Sequence, residues 1–100
     1  MALSIFVRTY SGDVVERSSH PNLGELFSAA STGRQPLLAS VDHYDDTVFN
    51  SRQAQIIVQE LRDLQSAILE PDTLAAADEL NRLAGKVAGR AHHYLVVDGD

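Results

Sequence analysis

The sequence contains no cysteine. A disulfide framework, a thiolate zinc site and a cysteine nucleophile are all excluded by that absence. Positive charge is also scarce, with 8 Lys and Arg against 14 Asp and Glu and a formal net charge of -6. A protein that grips a phosphate backbone needs clustered cations to release counterions, whereas the arginines here are spread from Arg8 to Arg90. Nucleic acid is therefore not an expected partner, and a basic protein suits this charge better.

Long apolar runs are missing too. No window approaches the roughly 18 apolar residues of a membrane span. Ala2 to Val7 is too short for the apolar region of an export signal, lacks a basic flank and is followed by no cleavage site. These features predict a cytoplasmic protein without membrane contact. Catalytic signatures are equally sparse: Gly85-Lys86 lacks the upstream glycine of a phosphate loop, and Ser11-Gly12 and Thr32-Gly33 read as turns rather than a nucleophile elbow. Tyr10, Tyr44 and Tyr94 are too few and too far apart to predict a base-stacking platform. No cofactor is expected, and an enzyme is the less favoured reading.

What remains is an ordinary globular composition, 44% hydrophobic and 22% charged over 100 residues. That length suits a single domain, 1–100, which buries about two thirds of its unfolded surface. Leu3 to Tyr10 is rich in β-branched and aromatic residues, and Ser11-Gly12-Asp13 separates it from Val14 to Ser18, the pattern of a β-hairpin. Alternation places Leu3, Ile5 and Val7 on one face and Ser4, Phe6, Arg8 and Tyr10 on the other. After His20-Pro21, Asn22 is expected to cap a short helix, with Glu25 completing a capping box, and Leu23, Leu26, Phe27 and Ala30 share its inner side. Gly33 is expected to end it in a left-handed position. Leu37 to Val41 reads as a short buried strand or a packed loop, and its uneven apolar spacing favours the loop.

From Asn50 the period becomes helical. Ala54, Ile57, Leu61, Leu64 and Ile68 step by three and four, with Val58 and Leu69 widening the stripe. Glu70-Pro71-Asp72 breaks the chain, and Asp72 is expected to cap a second helix bearing Leu74, Ala77, Leu80, Leu83 or Ala84, Val87 and Ala91. So short a connection predicts an antiparallel helical hairpin, its alanines allowing close approach. Gly89 marks its end, and His92 to Val97 reads as a strand that joins the sheet beside the first.

The chemically dense stretch is Val41 to Gln53. Asn50 and Gln53 form a capping-box pattern, Phe49 is placed as a hydrophobic staple against Ala54, and Asp45 and Asp46 favour the positive end of the helix dipole. Counted as a calcium loop, the stretch supplies Asp42, Asp46 and Asn50 at the first, fifth and ninth places but fails at Tyr44, Thr47 and Gln53. No metal is therefore expected. The residues left without a full structural reason are Asp42, His43, Tyr44, Asp45 and Asp46, which read as an acidic contact face with Tyr44 as its aromatic anchor, joined by Asp98 and Asp100 if the last strand ends nearby. The alternative is a metal-dependent or His/Asp enzyme using His43, Asp42, Asp46 and His93, which requires residues far apart in sequence to meet.

Leu37-Leu38 through Val41-Asp42, then Tyr44-x-Asp46-Thr47-Val48-Phe49-Asn50-x-x-Gln53 and a closing Tyr94-Leu95-x-x-x-Gly99-Asp100, resembles a group of small uncharacterised actinobacterial proteins. The likeness covers the last two thirds of the chain in outline. It implies a cytoplasmic bacterial protein whose central stretch recurs as a unit, although Asp45 stands where the pattern has glycine.

The expected fold is α+β: an N-terminal hairpin, a short helix, and an antiparallel helical hairpin packed on one face of a small antiparallel sheet that the C-terminal strand completes. Phe6 and Tyr10 on the far face then need cover, either from Leu37 to Val41 or from a second copy of the chain as a homodimer. The expected function is a small acidic protein-binding module of inhibitor, immunity or regulatory type.

Overall fold

The computed structural model describes residues 3–68 and 70–99. Ala2, Leu69 and Asp100, which entered the apolar N-terminal run, the helical stripe and the acidic patch, lie outside the described residues. The chain opens with β1 (Ser4–Thr9) and β2 (Val14–Ser19). Gly12 makes their turn possible, because its φ of 99° lies where a side chain would be strained. The amides of Thr9 and Gly12 close the turn on Asp13 and Thr9 carbonyls at 2.9 and 3.0 Å. A bulge between Val7 and Arg8 bends the hairpin.

The last strand, β4 (His93–Asp98), pairs with β1, and a three-residue strand, β3 (Thr47–Phe49), pairs with β4. The result is one antiparallel sheet in the order β2-β1-β4-β3. The fold is thus α+β, with the hairpin and the C-terminal strand placed as the sequence predicts. β3 is an addition to that expectation, since three residues between an acidic loop and a helix cap carry too little alternation to register as a strand. His92 falls outside β4: its φ of 64° is left-handed, so it ends the preceding turn rather than starting the strand.

Four helices form the second layer among the described residues: α1 (Leu23–Ser31), α2 (Pro36–Ala39), α3 (Ser51–Gln65) and α4 (Pro71–Ala88). At the start of α3 the capping box is complete, Asn50 Oδ1 accepting from the Gln53 amide at 2.8 Å and Gln53 Oε1 from the Asn50 amide at 2.9 Å. Losing such a cap costs about 1 kcal/mol. Elsewhere the caps differ from expectation. The Asn22 side chain makes no cap hydrogen bond at α1 and donates instead to Thr73 Oγ1 across the helix layer. Glu70, not Asp72, caps α4, its carboxylate accepting from the Asp72 amide at 3.1 Å, because Pro71 takes the first helical position, where its missing N–H is no loss. Gly33 follows the C-cap Thr32 of α1 as expected, but without the left-handed conformation, since among the described glycines only Gly12 has a positive φ.

Leu37 to Val41 is neither strand nor loop but mostly the single turn of α2, started by Pro36. The free amides of that turn have an unusual partner. Glu60, buried on α3, accepts from the amides of Leu37 at 3.1 Å and Leu38 at 3.0 Å. Both amides are thereby satisfied, and α2 is fastened to α3.

The core lies between the layers. Ile5, Val7, Leu95, Val97 and Phe49 from the sheet meet Leu23, Leu26 and Phe27 of α1, Ile57 and Leu61 of α3, and Leu80, Leu83 and Val87 of α4. Truncating any of these leucines to alanine typically costs about 2–5 kcal/mol. On α4 the buried stripe runs through Thr73, Ala76, Ala77, Leu80, Leu83, Ala84 and Val87, while Ala91 lies beyond the helix and is exposed. Alanines at Ala76, Ala77 and Ala84 let α3 and α4 approach closely. Along β2 the same inner side is polar: Glu16 pairs with Arg82 and with Lys86 at 2.6 Å, and Ser18 donates to Glu79 at 2.6 Å, tying the edge strand to α4.

The opposite face of the sheet is left open. Because α2 packs against α1 and α3, the segment expected to cover Phe6 sits in the helical layer instead. Register places Arg17, Phe6, Val96 and Val48 in one row across this face, with Arg8 and Tyr94 in the next. Val96 is only 1% exposed yet stands apart from the core, sheltered by its neighbours in the sheet.

Candidate functional site

The acidic stretch forms a loop between two buried anchors, Val41 and Phe49. Its backbone is braced by its own side chains. The Asp42 amide donates to Thr47 Oγ1 at 3.0 Å, Asp42 Oδ1 accepts from the Tyr44 amide at 2.8 Å, and Asp45 Oδ1 accepts from the Asp46 amide at 2.8 Å. Short polar side chains folding back on nearby amides are the usual way a chain holds a turn without a ladder. Here they take up Asp42 and Asp45 in part and leave Tyr44 outside.

The loop is also docked against the end of β4. A β-carbon at Gly99 would overlap the backbone of Asp45 and come within 2.7 Å of the Asp42 carbonyl oxygen. Only glycine permits that approach. With β3 and β4 in register, this contact brings Asp46 beside Asp98. The hydrogen bond between the two carboxyl groups raises the pKa of Asp46 above its ordinary 3.8, helped by local desolvation and by the charges of Asp98 and Asp45, while the Gly99 amide opposes the shift. A carboxyl hydrogen-bonded to a carboxylate holds its proton more firmly, because two negative charges so close repel.

The five residues singled out in the sequence thus divide. Asp42, Tyr44, Asp45 and Asp46 are exposed, and Tyr44 is 76% exposed, far more than a ring of that size needs for any packing duty. His43 is half-buried, its ring meeting that of Phe27 edge-on at 6.4 Å, so it pins the loop to the core. Asp98 joins the group, as the sequence anticipates should the last strand end nearby. The signal that could have found it is Gly99, a glycine directly after a strand, which marks a close backbone approach.

His93 does not join. It opens β4 opposite Thr9, whereas Asp98 closes the strand, and five residues of extended chain put about 17 Å between them. Its Nδ1 lies 3.2 Å from the Ala91 carbonyl instead. The structure therefore does not bring His43, Asp42, Asp46 and His93 together as a His/Asp pair for acid–base work. His92, its sequence neighbour, packs edge-on against Tyr10 at 5.7 Å. Among the described residues, no group of three or more histidines and carboxylates is arranged to hold a metal ion, and no helix is long and apolar enough to cross a membrane.

No protein-family model, curated protein or solved structure matches this chain, so its reading rests on the geometry above.

Proposed function

We propose that this protein is a small acidic cytoplasmic binding module of inhibitor, immunity or regulatory type, and that the loop of Asp42, His43, Tyr44, Asp45 and Asp46 is its contact face for a basic protein. The observation that carries this reading is Tyr44, an aromatic ring exposed among carboxylates on a loop whose backbone is already fixed. Aromatic anchors of this kind dominate binding energy in protein interfaces, and a braced loop loses little conformational entropy when it docks. His43 acts from behind, holding the loop on Phe27, while Asp46 and Asp98 extend the negative surface.

The test is a comparative capture of proteins by the wild type and by a Tyr44→Ala, Asp45→Ala double variant, read by quantitative mass spectrometry. A basic partner held by the wild type and lost at least about tenfold by the double variant is expected, matching the loss of one aromatic anchor. A partner retained equally by both moves the contact face off this loop. Because Tyr44 is so exposed, its truncation should leave unfolding within about 0.5 kcal/mol of the wild type.

A further inference from the structure

We draw no further inference here: the strongest candidate, the open face of the sheet around Phe6, Val96 and Val48, is already shielded in part by Arg17 over the Phe6 ring and Arg8 over the Tyr94 ring, and nothing in the structure shows what covers the rest.

Discussion

Asp46 shows how a fold alters a single side chain without burying it. Alone on a loop its carboxyl would titrate like any exposed aspartate; set against Asp98 by the pairing of β3 with β4, it keeps its proton to higher pH. A raised pKa in the native state means that the folded protein holds a proton which the unfolded chain has released. Stability from this pair is accordingly greatest below the ordinary value of 3.8 and is lost as pH rises through the raised one. Asp98→Asn removes the repelling charge, so the Asp46 carboxyl should titrate lower in a carbon-detected NMR titration of dilute protein. The variant should also be at least as stable as the wild type at pH 7, with a flatter dependence of Tm on pH in the acid range. A titration unchanged by Asp98→Asn would mean that the two carboxyl groups do not share a proton.

At the scale of elements, the long helices are legible because each repeats one period over several turns, and the hairpin because strand alternation flanks a glycine turn. α2 and β3 are not, being held by partners distant in sequence rather than by their own pattern. Glu60 is the instructive case. It falls on the inner stripe with Ile57, Leu61 and Leu64 at helical spacing, a place where a carboxylate needs a reason, and the reason is the pair of amides that start α2. Reading the stripe for a polar intruder would have flagged the residue, although not its partner. Glu60→Ala should cost about 1–3 kcal/mol in chemical denaturation by leaving both amides unsatisfied, and Glu60→Gln less, since one oxygen remains to accept. Equal stability of Glu60→Ala and the wild type would show that α2 is held by packing alone. The caps of α1 and α4 make a similar point: Asn22 and Asp72 have the right chemistry, but Thr73 claims the first and Pro71 shifts the start of the second. Of the candidate site, the exposed loop and its tyrosine can be read directly, while its docking on Gly99 depends on which strand ends beside it and the contact of His43 with Phe27 on how α1 packs.

The whole molecule is a sheet with helices on one side, and its two central strands come from opposite ends of the sequence. β1 and β4 are each paired along both edges, so amides of Ile5 to Val7 and Leu95 to Val97 should be the slowest to exchange with deuterium, and those of β2 and β3 faster. Protection in β2 matching that of β4 would argue that its outer edge is paired as well. The placement of Gly99 carries this central pairing into the loop. Because the backbone of Asp42 and Asp45 rests on Gly99, residues 42–46 leave the ribosome long before the strand that gives them their resting place. The proposed contact face is thus completed only after β4 has been made and has entered between β1 and β3, and a chain that lacks that strand in the sheet leaves the loop without its resting place.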